Sequence, residues 1–381
     1  MVSTPAIVAR EPKDIGHPNW QIEDVSVSEP GDNEILVEMI ASGVCHTDLV
    51  LSSLPPGYMG IEYPKIVGHE GAGYVKQTGQ SVHSVSVGDP VLLSFHSCGS
   101  CSQCDDDHPA YCDTFARENY IGRQGSVTTT NTGDKPWARF FGQSSFARCS
   151  VVDESCVVNA KGLLQSPEEL KLFAPLGCGF QTGMGAVANI ANAGAKDVVV
   201  VLGLGSVGMA AIMTAAIRGC KAIVGVDRLD DRLALAKELG ATHTLNTAGS
   251  DMDLAEAVRA LVPAGASLVV DTTGVPKLLE GGLEALRQRG KLVMIGVPPP
   301  GFELSVKATE HMNMGRSVMG CIEGDCIPKE AIPEMIRWYR DGRFPFDRLI
   351  TYFEAHRFDQ ALKQLHDGSA VKAVLLWDSR E

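Results

Sequence analysis

The run DVVVVLGLGSVGMAAIMTAAIRGCKAIVGVD, residues 197–227, constrains the fold more than any other part of the chain. A strand that is apolar at every position ends at Leu202, a turn carries glycines at Gly203, Gly205 and Gly208, and an apolar helix pattern starts at once. A second apolar strand then ends in Asp227. Strands without polar alternation are buried on both faces, and strands joined through a helix lie parallel. From about Thr182 the rhythm continues through DRLALAKELG, SLVVDTT and KLVMIGV, which predicts a parallel sheet with helices on both faces. Residues 6–158 read differently: EILVEMI, GAGYVKQ, PVLLS and SFARCSVV are short β-type runs between Gly, Pro and Asp punctuation. At 381 residues two domains are expected. Residues 1–180 form the first and 181–320 the second. Residues 321–381, with a helical run at PKEAIPEMIRWYRDG and a strand at VKAVLLW, return to the first.

The glycine turn has the spacing of a dinucleotide-binding, Rossmann-type loop in its proper setting between strand and helix. Gly203 allows the tight turn, Gly205 lets backbone approach a pyrophosphate, and Gly208 permits close contact of helix and strand. Leu204, Ser206 and Val207 complete the loop, and the free N–H groups of the helix start suit an anion. Asp227 stands 19 residues after Gly208, where a carboxylate accepts hydrogen bonds from an adenosine ribose. That favours NAD over NADP, whose 2′-phosphate would meet like charge; Arg228 beside it works in the opposite direction. The bland alternative is a glycine turn in a doubly wound sheet that binds no nucleotide.

Lys plus Arg number 33 against 46 Asp plus Glu, a net charge of −13, which argues against nucleic acid or an anionic membrane surface as partner and for a small molecule. The first residues hold no apolar run of signal-peptide length and no stretch is long enough to span a bilayer, so a soluble, cytoplasmic protein is expected. Eleven cysteines without an export signal favour metal ligation over a disulfide framework. Four of them, Cys98, Cys101, Cys104 and Cys112, fall within 15 residues. Four thiolates with no open position suit a structural zinc ion, an iron–sulfur cluster or two local disulfides being the alternatives. Three further residues of ligating type stand apart: Cys45 in GVCHTD, His69 in GHEGAG and Cys178 in PLGCGFQTG. Spacing alone does not join them, since a buried Cys is commonly a small apolar filler.

In their order along the chain, GHEGAG, the four-cysteine loop and GLGSVG resemble the zinc-containing alcohol dehydrogenases of the medium-chain dehydrogenase/reductase superfamily, nearly end to end. The resemblance implies a GroES-like β-barrel catalytic domain plus a doubly wound Rossmann domain, two zinc ions and NAD. It implies that Cys45, His69 and Cys178 hold a catalytic zinc with its fourth position open, that Asp48 orients His69, and that Glu70 lies close by. Thr47 would receive the alcohol's proton; His46 and Lys372 would contact the pyrophosphate; Arg232 would lie near the adenosine ribose; Thr182 and Val207 would back the nicotinamide, with Val297 close to it. Where liver-type members end a proton relay in histidine, this chain has Val50.

PLGCGFQTG, LSFHSCGSC and FFGQSSFA look most like the benzyl- and aryl-alcohol branch. A pocket of Thr47, Ser94, Phe95, Phe146 and Val297 is implied, suited to aromatic or allylic primary alcohols. The long segment between Cys112 and Phe146 resembles the dimeric members, so a homodimer is favoured over a tetramer. Two other activities stay open: oxidation of the glutathione adduct of formaldehyde, which needs basic residues at the pocket mouth, and a zinc- and nucleotide-binding role without catalysis.

Overall fold

A computed structural model describes residues 1–249 and 252–377. The chain forms two compact units, the first made of Met1–Cys178, Ile327–Ile336 and the chain from Asp347 on, the second of Gly179–Cys326 and Arg337–Phe346. The second unit thus includes residues 321–326 and 337–346, which the sequence pattern assigned with the rest of the tail to the first domain.

In the first unit the strand Glu34–Gly43 is the organising element. It pairs antiparallel with Gly71–Thr78, with Cys149–Asp153 and with Lys372–Leu376. The sheet continues on one side to Ile350–Glu354 and on the other through Pro90–Leu93 to Val157–Asn159. Ile35, Leu36, Val37, Met39 and Ala41 are buried, and since successive side chains point to opposite faces, both faces of the strand are covered. A second sheet, Lys65–Ile66, Val2–Arg10, Asn19–Val27 and Val127–Thr129, shares this core. Each of the four β-type runs noted above contains a strand, though the one in SFARCSVV begins only at Cys149.

The second unit is a parallel sheet in the order His243–Asn246, Ala222–Asp227, Val198–Leu202, Ala266–Asp271, Leu286–Met294, Ser317–Gly320. Strand order reverses between Val198–Leu202 and Ala266–Asp271, the topological switch at which open α/β sheets bind ligands beyond their carboxyl ends. The glycine turn leaves the sheet there and the helix Ser206–Ile217 follows it immediately. The edge strand Ser317–Gly320 carries no apolar run and was not legible in the sequence. Nor were the helical turns Glu169–Phe173 and Gly179–Gly185. Glycine is a poor helix former, but a Cβ at Gly183 would overlap the Val207 carbonyl oxygen, so close packing outweighs propensity there.

Gly203 has a left-handed φ of +86°, and a Cβ at Gly208 would overlap the Gly203 carbonyl oxygen. Gly208→Ala is therefore expected to force helix and turn apart, at a cost of about 1–3 kcal/mol. A melting temperature within a degree of the wild type would show that the contact is softer than this geometry requires.

Candidate zinc and nucleotide sites

The first site is built around a buried carboxylate. Cys45 sits at the N-terminus of the short helix His46–Leu51, and its N–H donates to Asp48 Oδ2 at 2.9 Å. Asp48 Oδ1 accepts from the Gly68 N–H at 2.9 Å and lies 2.8 Å from His69 Nδ1. With Nδ1 engaged, Nε2 of His69 faces the Cys178 Sγ at 3.2 Å, and that sulfur lies 3.9 Å from Cys45 Sγ. Donor atoms of Cys45, His69, Glu70 and Cys178 all lie within 4.8 Å of one another. At Gly43 a Cβ would overlap Glu70 Oε2, so the strand can pass this carboxylate only as glycine.

The electrostatics ask for positive charge. Cys45 is held well below the ordinary thiol value, first by its hydrogen bond with Cys178 and then by the neighbouring His69. Burial alone would lower His69, yet Asp48 and Cys45 raise it well above the usual imidazole range. Burial raises Glu70 while Lys372 opposes the shift. A thiolate cluster that draws a proton onto its histidine is one that a divalent cation would neutralise. Two sulfurs and one imidazole, with the ring oriented by a carboxylate, fit a catalytic zinc site.

The four-cysteine loop closes as its spacing suggests. Cys98 and Cys104 sulfurs are 4.0 Å apart, as are those of Cys101 and Cys112. Ligands at the usual zinc–sulfur distance in a tetrahedron lie about 3.8 Å from each other, so the four sulfurs fit one ion. These distances also exclude disulfides, and all eleven cysteines are free. Backbone hydrogen bonding from Ser100 lowers the Cys98 thiol to about 6.

The nucleotide turn keeps the openness its glycines imply. Gly205 precedes the helix with no side-chain cap, and the space around its missing Cβ is clear. Asp227 accepts from the N–H groups of Leu204 at 2.7 Å, Arg228 at 2.7 Å and Leu229 at 3.0 Å, which fixes its carboxylate at the strand end. Arg232 is buried within reach of that charge. A cavity of about 940 Å3 opens in the same unit, with Arg228, Leu229, Thr247, Val275 and Lys277 in its wall. Thr182 is buried, Val207 half-buried, and His46 exposed.

Several of the expected site residues have partners within the protein. Lys372, expected at a pyrophosphate, is buried, and its ammonium donates to Glu70 Oε1 at 2.6 Å and the Val44 carbonyl at 3.0 Å. Ser94 is buried with its hydroxyl donating to the Gly177 carbonyl at 2.7 Å, so it offers no free hydroxyl to a pocket. Phe146 packs edge-on against Trp20 at 5.2 Å, Phe95 tilts against Phe115 at 5.8 Å, and Val297 is 79% exposed. The rings at the metal-type cluster are instead Phe141, stacked on His69 at 4.3 Å, and Phe140, edge-on to it at 5.5 Å. Gln143, likewise not singled out, donates to the His69 and Ser94 carbonyls at 2.8 and 2.6 Å. All three lie in FFGQSSFA, but in an irregular segment where no periodicity tells which ring faces which way.

A parallel sheet with a nucleotide-type turn and a β-rich unit with two zinc-type donor sets define a zinc-dependent dehydrogenase. Residues 31–162 match the alcohol dehydrogenase GroES-like domain and residues 206–341 the zinc-binding dehydrogenase family. Geraniol dehydrogenase of Castellaniella defragrans is 35% identical over 379 residues, 99% of this chain and 98% of that protein. The crystal structure of an alcohol dehydrogenase zinc-binding domain protein from Burkholderia ambifaria superposes with a TM-score of 0.92 at 34% identity, covering 99% and 100% of the two chains. Benzyl alcohol dehydrogenase from Acinetobacter calcoaceticus gives 0.89 at 31% identity, with the same coverage. The chain belongs to the zinc-binding alcohol dehydrogenase family of the medium-chain dehydrogenase/reductase superfamily. Among the described residues no helix is long and apolar enough to cross a membrane.

Metal analysis should return two zinc ions per chain; a single zinc, or iron, would overturn the assignment of one donor set. Cys101→Ser should lower the melting temperature, because structural zinc contributes folding energy directly, whereas Cys178→Ser should chiefly abolish turnover. A pH effect is expected beside Phe140, where burial pushes the fully buried Lys65 down to about 7, below a lysine's ordinary value of 10.5. Between those values the unfolded chain holds the proton and the folded chain does not, so stability rises with pH across this window and the burial cost is felt in full below it. Lys65→Met should flatten that rise; parallel melting curves for the two proteins from pH 7 to 10 would show that Lys65 titrates normally.

Proposed function

We propose that the chain is an NAD-dependent dehydrogenase interconverting aromatic or allylic primary alcohols and their aldehydes. The observation that carries the substrate class is the likeness over nearly the whole chain to geraniol dehydrogenase and benzyl alcohol dehydrogenase, at 35% and 31% identity. Two of the relatives bear the names of such alcohols, geraniol and benzyl alcohol.

Zinc at a site with one open position acts as a Lewis acid that favours loss of the alcohol proton. The chain's part is to hold the donors, orient the carbinol and take the proton. Cys45, His69 and Cys178 supply the donors, and Asp48 keeps the imidazole aimed. Thr47 Oγ1 lies 3.7 Å from Cys45 Sγ, placing a hydroxyl beside the cluster where it can accept a proton and pass it on. Val50 carries no base, so Thr47 would pass the proton on to water or toward the ribose of a bound cofactor. Gly203, Gly205 and the start of the helix would cradle the cofactor's phosphates, and Asp227 would select an unphosphorylated ribose.

Asp227→Asn keeps the side chain's shape and removes its charge, so it should narrow the ratio of NAD to NADP activity; a wild type that already uses NADP better would reverse the assignment. Benzyl or cinnamyl alcohol should exceed ethanol in kcat/KM by about a hundredfold, since buried ring area at about 25 cal/mol per Å2 supplies a few kcal/mol that a two-carbon alcohol lacks. Equal values for ethanol and benzyl alcohol would remove the aromatic assignment. Activity confined to the glutathione adduct of formaldehyde would move the chain to that reaction.

A further inference from the structure

Lys65 lies behind the aromatic pair, in surroundings unusual for a lysine. It is fully buried, its Nζ donates to the Ile121 carbonyl at 2.6 Å, and the same nitrogen lies 5.5 Å from the centre of the Phe140 ring. Phe140 contacts Phe141 at 4.9 Å, and both contact His69. The backbone that carries them is strained: Arg139, Phe141 and Ser144 all have left-handed φ, at 62°, 54° and 52°. Such conformations in residues other than glycine persist only where the surroundings impose them. Ile121, for its part, meets the turn at Gly60, where a Cβ would lie 2.6 Å from the isoleucine's Cδ1. One buried side chain therefore joins the segment at Ile121 to the ring of Phe140, which itself meets His69.

We propose that Lys65 is a positioning residue for His69, holding the Phe140–Phe141 pair against the imidazole through the Phe140 ring and the Ile121 carbonyl. A donor on an unbranched stem can satisfy a carbonyl that an apolar side chain would leave unpaired, while its methylenes fill the space beneath the ring. Loss of the donor frees Ile121, lets the strained segment relax and loosens the stack on His69. The consequence is a metal ligand held less firmly, whichever alcohol is the substrate. This rests on the reading that Cys45, His69 and Cys178 hold zinc, and zinc content of the wild type tests that reading separately.

The experiment follows zinc loss from purified, zinc-loaded protein to a colorimetric chelator, in wild type, Lys65→Met and Lys65→Gln. Lys65→Met has similar length and no donor; Lys65→Gln keeps a neutral donor. Lys65→Met should lose one of its two zinc ions about tenfold faster, the lower end of what removing outer support of a metal ligand costs, with the other zinc unaffected. Lys65→Gln should recover part of the loss. Equal release from wild type and Lys65→Met, or acceleration of both zinc ions together, overturns the proposal, since a purely structural lysine would act on neither site or on the whole unit. Should neither Lys65 variant fold, Phe140→Leu tests the same link: selective loss of one zinc supports it and wild-type release overturns it.

Discussion

The first unit depends on one buried carboxylate. Asp48 has no access to solvent, yet it joins the N–H of Cys45, the N–H of Gly68 and the Nδ1 of His69. Those three groups lie on a helix start, a turn and the residue after it, so a single side chain sets the separation of two donors that are 24 positions apart in sequence. A buried charge is tolerable when every lone pair is engaged, and in that state it also rigidifies what it touches. The imidazole has one free nitrogen left, and Asp48 decides where that nitrogen points. Glu70 and Lys372 form a second buried pair alongside, tying the cluster to the strand Lys372–Leu376. Gly43 lets that pair approach the central strand closely.

Much of this was legible in the amino-acid sequence, for identifiable reasons. Val198–Leu202 and Ala222–Asp227 are apolar throughout because both faces are covered, and the glycines between them are the residue type the turn requires. The four-cysteine loop is local, so its spacing alone brings its sulfurs together. The other set is not local: Cys45, His69 and Cys178 meet only through pairing of distant strands, and a family resemblance, not spacing, united them. What remained hidden depended on side-chain direction in irregular backbone. Phe140, Phe141 and Phe146 stand within seven residues of each other, yet two face His69 and the third faces Trp20, because left-handed φ values at Arg139, Phe141 and Ser144 turn the chain repeatedly.

The pairing of Glu34–Gly43 with Lys372–Leu376 has a consequence for how the protein is made. More than 300 residues separate the two strands, and the whole parallel-sheet unit is synthesised between them. A chain growing on the ribosome can complete the parallel sheet of the second unit while the central strand of the first still lacks a neighbour and Glu70 its cation. Long-range pairing of this kind is slow and leaves an open strand edge during the wait. Competence to hold the catalytic metal in its final geometry is therefore acquired late, after nearly all of the polypeptide has emerged, and the nascent protein is most exposed to misassociation at the edge on which its chemistry will later rest.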